Sequence, residues 1–581
     1  MRMMAVGILA AALLPGQTST WRPVYLGMDG MVATAHYATA MSGYKILAQG
    51  GDAVDAAAAA CFASTVVEPS RSGIGGDAFI LIYRAKTNEV IFINGGGWAP
   101  KRATLELCQS KGGIDLDGAL SPVVPAAPAA LLLALGKYGK LKREQVLAPA
   151  IELAERGFIV SENLQGVLRN NVKRLQAFPS SVPVWFRDGQ PLRMGDMVVR
   201  KNLGQTMRRI ATHGRDGFYK GPVAENTVQF LARNGGIMDA SDLAEFEAEL
   251  TKPLHVRYRG YDVYGVGLPT QSPVMLEALK ILEGFDLKAM GHNSADYIHH
   301  VVEALKLAFA DRDAYIGDPR FVKDVPIDTL LSDRHAARRR ALIRKDRAID
   351  GVAPPGLQAS TAPLYAQGPG SHVELTGAAA FPDWIESFTT HIDVVDKDRN
   401  MVTITSSVAS DFGSAMYVDG EAGGYFINDV LARFNLDPKH PNALAPRKRP
   451  RQTLNPVLVL KDGKPLMVFG SPGGDTQGQS QLQFFLNYVE FGKNVQQALE
   501  QPYFSTGAYH QSFHPHRAGK RLSVSQRIPR EVREELATRG HAVRTHSAMG
   551  VGSVKAIVVH PQSGVLMGGA APATDAYVIG W

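Results

Sequence analysis

Cysteine is almost absent from this chain of 581 residues: only Cys61 and Cys108 are present. Two thiols allow one disulfide at most and exclude a disulfide-dense secreted scaffold. Cys61 lies in an alanine-rich run and reads as a small core residue. Neither thiol has the spaced partners of a zinc site, so no metal is expected. Long apolar runs are lacking too. The single candidate, residues 3–14, is too short to span a bilayer, so no stable membrane insertion is expected. With Arg2 before it, this run has the length of a secretory core, yet residues 16–21 offer no clean small-residue cleavage site. Residues 1–21 therefore read either as a signal-like segment or as a disordered start. The location follows accordingly: periplasmic or secreted in the first case, cytoplasmic in the second. A strong charge of one sign is also missing, with 62 Lys and Arg against 55 Asp and Glu, a net +7. There is no basic stripe interleaved with aromatics, which argues against nucleic acid. The mild excess suits an anionic small substrate or a basic surface. Its densest run, Arg447-Lys448-Arg449 with Arg451, reads as a solvated loop face.

What the chain has instead is glycine, 58 residues, and an ordinary globular balance with 45% hydrophobic residues. Asp52 is placed to cap an alanine-rich helix over 53–66, which Pro69 stops. Ser72-Gly73-Ile74-Gly75-Gly76-Asp77 follows and leads into a strand over 78–83. The glycines precede a hairpin rather than open a helix, so a dinucleotide loop is excluded and close backbone approach beside a pocket is expected. Residues 101–260 read as mostly helical, including 202–213, 222–234 and 241–249. The helix over 294–310 carries His299, His300 and Glu303. Lacking a third ligand, these read as a polar helix face. Residues 351–388, rich in Gly, Pro, Ala and Ser, form an unusually long connection. It runs straight into Phe388-Thr389-Thr390-His391, the start of a strand, a polar turn at 396–400 and a second strand. Two threonines there are ordinary strand formers. A break after Phe388 would instead expose Thr389 as a new N-terminus, with an α-amine of pKa near about 7.7 beside its hydroxyl. Such an amine can serve as base for its own hydroxyl.

The ordered motifs decide between the two. Gly50-Gly51-Asp52-Ala53-Val54-Asp55-Ala56-Ala57, Val67-Glu68-Pro69, Ser72 to Gly76, Leu268-Pro269, Thr389-Thr390-His391, Gly470-Ser471-Pro472-Gly473-Gly474 and Gly564-x-Leu566 run over nearly the whole length. In these the chain resembles the γ-glutamyltransferase family of N-terminal-nucleophile hydrolases. The resemblance implies an α+β fold, a four-layer αββα sandwich with additional helices in the N-terminal portion. It implies a precursor that cuts itself after Phe388 into a large subunit, 22–388, ending in the linker 351–388, and a small subunit, 389–581, which stay together as a heterodimer. Thr389 would be the nucleophile, Ser407 the hydroxyl partner of its amine, and the N–H groups of Gly473 and Gly474 the oxyanion hole. No cofactor is implied.

The substrate positions depart from the family pattern. Gly96 stands where the family's carboxylate-binding arginine falls, Gln452 and Thr453 replace two serines, and Ala409 replaces an asparagine. Arg433 stands where an acid holds the glutamyl α-amine. An arginine there repels an ammonium and can grip a carboxylate. The expected substrate is thus a small amide whose acyl group carries a carboxylate, such as a glutaryl amide. A true glutathione-acting γ-glutamyltransferase is the alternative. An inert homologue would require loss of the nucleophile or its hydroxyl partner, and both Thr389 and Ser407 are present.

Overall fold

The computed structural model describes residues 20–357 and 389–581, apart from 548, 551 and 573. The segment 1–19, most of the linker, and Phe388 lie outside the described residues.

Two seven-stranded antiparallel sheets are stacked face to face between layers of helices. One sheet runs Tyr577–Gly580, Gly30–Thr34, Thr390–Asp396, Met401–Ser407, Asp77–Arg84, Glu89–Gly95 and Glu249–Thr251. The other runs Tyr25–Gly27, Leu566–Ala570, Lys555–Val559, Lys464–Gly470, Val457–Lys461, Tyr261–Gly265 and Leu254–Tyr258. The four layers follow from the period of two along each strand. In the first sheet Ile80, Ile82, Ile392, Val394, Val402 and Ile404 face a helical layer. Phe79, Leu81, Val395 and Met401 face inward, against Leu458, Val468 and Ile557 of the second sheet. The second sheet turns Val457, Val459, Met467 and Phe469 outward onto the helices Ser272–Leu282, Ala295–Tyr315 and Gln477–Val489. This is the expected αββα sandwich.

Local chemistry fixes the elements nearest the site. The helix Ala53–Val67 starts at Asp52, whose side chain accepts from Val54 and Asp55 N–H while Asp55 returns the bond, a capping box. Every residue of this helix is buried, as its run of alanines permits. Asp396 also accepts from Ala53 N–H at 3.0 Å, tying the helix to the strand that begins after Thr389.

Several expectations need correction. The helix expected over 241–249 ends at Ala244, and Glu249–Thr251 closes the first sheet as an edge strand. The helix carrying His299, His300 and Glu303 is not amphipathic. All three are buried, because the helix is enclosed by the second sheet, neighbouring helices and the C-terminal segment. The basic run is not a solvated face either: Lys448, Arg449 and Arg451 are buried. Arg449 pairs with Glu249 at 2.7 Å and Arg451 with Asp313 at 2.9 Å, so distant acids compensate their burial. Both cysteines are free and buried, and no disulfide links them.

Candidate active site

Thr390–Asp396 and Met401–Ser407 pair with Thr390 opposite Ser406, which brings Thr389 opposite Ser407 at the end of the ladder. The Thr389 hydroxyl donates to Ser407 Oγ at 3.1 Å. Ser407 Oγ also accepts from Ala409 N–H at 2.9 Å, so its orientation is set from its own chain. Ala409 reaches that position with φ of 80°. The glycine cluster earns its composition here: a Cβ on Gly76 would lie 2.2 Å from the Ser407 carbonyl oxygen.

Strand alternation separates the next two residues. Thr390 points toward the helical layer and donates to Glu68 Oε2 at 2.8 Å, while Thr39 donates to Oε1 of the same carboxyl at 3.1 Å. Burial holds that carboxyl above its usual range. Thr390 therefore faces away from the side of the strand that carries Thr389. His391 lies on the same strand face as Thr389, between the sheets, hydrogen-bonded to Thr405 and Asp393 at 2.9 Å each. A Cβ on Gly470 would lie 2.2 Å from His391, so the opposite strand must be glycine at that point.

Gly470 opens the second glycine loop. Gly473 and Gly474 adopt φ of 123° and 54°, conformations that favour glycine. Their carbonyls are engaged: Gly473 O accepts from the Thr476 hydroxyl at 2.8 Å, and Gly474 O from Gln271 Nε2 at 2.8 Å. Among the described residues, neither glycine's N–H has a hydrogen-bond acceptor. Asp475, next in sequence, pairs with the fully buried guanidinium of Arg312 at 2.6 Å.

The predicted substrate residues fall into two groups. Arg433 ends the short turn Val430–Arg433 and is only 2% exposed. Its Nη1 donates to Thr453 Oγ1 at 2.7 Å, the Phe513 ring lies 4.5 Å from its guanidinium, and its Nε has no partner. Ala409 packs in the same apolar cluster as Val430, Leu431 and Ala432, which connects the Ser407 end of the ladder to the Arg433 turn. Gln452 donates instead to Asp77 Oδ2 at 2.6 Å. Gly96 is held in place by Asn94 and Arg449, and a Cβ there would meet the Phe79 ring at 2.9 Å. Both Gln452 and Gly96 thus support the wall around Asp77.

Sequence reasoning passed over Asp77, Asp429 and Phe513. Asp77 accepts from Gly97 N–H at 3.0 Å, and burial pushes its carboxyl up to about 7. Asp429 accepts from Ser410 N–H at 2.9 Å and leaves Oδ2 without a partner; burial raises it too. Asp77 was visible as the residue ending the glycine cluster. Phe513, eighty positions from Arg433 in sequence, carried no such signal.

His299, Glu303 and His541 bring three ligand-type side chains together, the third being one the sequence did not reveal. The atoms that face one another are already engaged. His299 Nε2 faces the Arg344 carbonyl at 2.7 Å and must carry a proton. Its Nδ1 then accepts from His541 Nε2–H at 2.9 Å. Lys306 stands 2.7 Å from Glu303 and supplies the cation itself.

The two stacked sheets, with a threonine leading a central strand and a glycine loop on the facing sheet, define an enzyme of the N-terminal-nucleophile hydrolase type. The family profile described as gamma-glutamyltranspeptidase matches residues 39–581, and the chain belongs to that family. It is 34% identical over 561 residues to the glutathione hydrolase proenzyme of Escherichia coli (strain K12), covering 94% of this chain and 90% of that protein. It is 32% identical over 556 residues to the acylase ACY 1 proenzyme of Pseudomonas sp. (strain SE83), covering 94% and 92%. The structure of a cephalosporin acylase from Bacillus halodurans superposes with a TM-score of 0.85 at 31% identity, covering 99% of each chain. Among the described residues no helix is long and apolar enough to cross a membrane.

Proposed function

We propose that this protein is a self-processing amide hydrolase whose acyl substrate carries a carboxylate away from the scissile bond. Thr389 Oγ attacks the carbonyl of Phe388. The peptide nitrogen becomes the free α-amine of Thr389, and water hydrolyses the resulting ester. In the mature enzyme that amine takes the proton of Thr389 Oγ as the hydroxyl attacks an amide. The proton then passes to the leaving amine, and water releases the acyl group from its ester. Ser407 holds the amine, and the N–H groups of Gly473 and Gly474 receive the developing oxyanion. Arg433 grips the acyl carboxylate, with Thr453 orienting the guanidinium.

The observation that carries this reading is the state of Arg433: buried, bonded to a single side chain, and with an unpartnered Nε. A buried guanidinium with spare donors suits an anionic ligand. The test is a panel of anilides against the processed enzyme. A glutaryl anilide is expected to turn over well above a γ-glutamyl anilide, and the reverse order would sink the proposal.

A second reading, γ-glutamyl hydrolysis or transfer from glutathione, has one observation of its own. Asp429, which lies close enough to Arg433 to influence its charge, keeps a free carboxylate oxygen that could take an α-ammonium. Efficient cleavage of glutathione itself would favour it.

A further inference from the structure

The loop carrying Phe513 and the Gly473-Gly474 loop are fastened to one carboxylate. Asp475 Oδ2 accepts from Ser512 N–H at 2.9 Å, and Oδ1 accepts from the Ser512 hydroxyl and from Arg312 Nη1. Ser512 directly precedes Phe513, the ring over Arg433. Asp475 directly follows Gly474. The same loop is pinned to the Arg433 turn, because His514 N–H donates to Ala432 O at 2.7 Å and His516 faces Phe434 O at 2.9 Å. Behind Asp475 the buried Arg312 is itself held by Asp313 at 2.9 Å, and Asp313 also binds Arg451, next to Gln452 and Thr453. Two arginines and two aspartates thus close a buried network between the two ends of the candidate substrate site.

We propose that Asp475 is a positioning residue that couples recognition of the acyl carboxylate to the donor geometry of Gly473 and Gly474. This rests on the carboxylate reading above. A carboxylate that engages Arg433 has to fit beside the Phe513 ring, 4.5 Å from the guanidinium. Settling that ring draws on Ser512, and Ser512 draws on Asp475, whose main chain continues into the glycine loop. Binding energy from a remote part of the substrate is thereby spent on alignment at the reacting carbonyl, where displacements of about 1 Å can cost about 100-fold in rate.

The experiment compares a glutaryl p-nitroanilide with the uncharged pentanoyl p-nitroanilide in wild type, Asp475→Asn and Ser512→Ala. Each protein is first checked for complete cleavage on a gel. Wild type is expected to show a higher kcat, and not only a lower KM, with the glutaryl substrate. In Asp475→Asn the glutaryl kcat should fall about 10- to 100-fold. Its KM should change little, and the pentanoyl kcat should fall much less, so the ratio of the two collapses. Ser512→Ala keeps the Arg312 pair and the Ser512 N–H bond. It should reproduce the collapse in part, and it carries the test if Asp475→Asn does not mature. Equal losses for both substrates, or no loss, would overturn the coupling while leaving Arg433 as carboxylate anchor. Equal kcat and KM for the two substrates in wild type would remove the anchor, and the coupling with it.

Discussion

Thr389 and Ser407 meet hydroxyl to hydroxyl at 3.1 Å across the last rung of an antiparallel pair, and Ser407 is held from behind by Ala409 N–H. The pair predicts an asymmetry between its members. Thr389→Ala should leave one intact band on a denaturing gel and no turnover. Ser407→Ala removes a partner and leaves buried polar groups unmatched, at about 1–3 kcal/mol. It should slow cleavage and turnover about 10- to 100-fold, and Ser407→Thr, which keeps the hydroxyl, should recover most of the loss. Two fragments from Thr389→Ala, cut at the same bond, would remove Thr389 from the chemistry.

Arg433 sets the second prediction. Arg433→Met should lower kcat/KM for a glutaryl anilide by about 2–5 kcal/mol, as loss of a buried charged partner does. The pentanoyl analogue should be affected far less. Steady-state kinetics on both substrates decides, and a uniform loss would mean that the variant perturbs the fold rather than recognition.

Asp77 supplies a pH dependence. Burial raises its folded pKa to about 7, above the unfolded carboxyl, so the folded state binds the extra proton between those two values. Its contribution to stability is complete below the unfolded pKa and is lost as pH rises through about 7. Asp77→Asn removes this slope while its amide can still meet Gly97 and Gln452. Melting temperatures at pH 5 and pH 8 should therefore fall less on going to pH 8 in the variant than in wild type. One pKa unit corresponds to about 1.4 kcal/mol, enough for thermal melts to resolve. Parallel pH profiles would show that Asp77 is not the group that titrates.

The buried His299–Glu303–His541 cluster gives a prediction about metals. With Lys306 already beside Glu303 and both facing ring nitrogens engaged, chelator treatment should change neither melting temperature nor turnover. Glu303→Gln should instead cost about 3–5 kcal/mol in denaturant titration, because it strands Lys306 as a buried cation. Stabilisation of the wild type by added zinc would contradict this.

Much of the fold could be read in advance because its signals are local. Asp52 capping an alanine run, the glycines before Asp77 and the alternation after Thr389 each announce themselves within a few residues. Thr389, Ser407, Gly473 and Gly474 stand as candidates through ordered motifs of this kind. Compensation between distant charges has no local signature. Arg449 reads as a surface residue until Glu249, 200 positions earlier, is brought to it. His299 reads as half of nothing until His541 arrives from 242 positions away. Asp475 carries no signal of its own in the sequence, and only the fold sets it between Arg312 and Ser512.

The interleaving of the sheets bears on the order of events in the life of the molecule. Thr390–Asp396 lies between Gly30–Thr34 and Met401–Ser407, and Met401–Ser407 in turn borders Asp77–Arg84, so strands from before and after Phe388 share one sheet. The second sheet is shared in the same way, with Tyr261–Gly265 against Val457–Lys461. Neither portion owns a finished layer. The hairpin that presents Thr389 to Ser407 lies wholly after Phe388, but both strands that flank it, Gly30–Thr34 and Asp77–Arg84, come from before. In the self-processing proposed above, assembly comes before scission, and two halves made on separate ribosomes would each begin as a row of open strand edges.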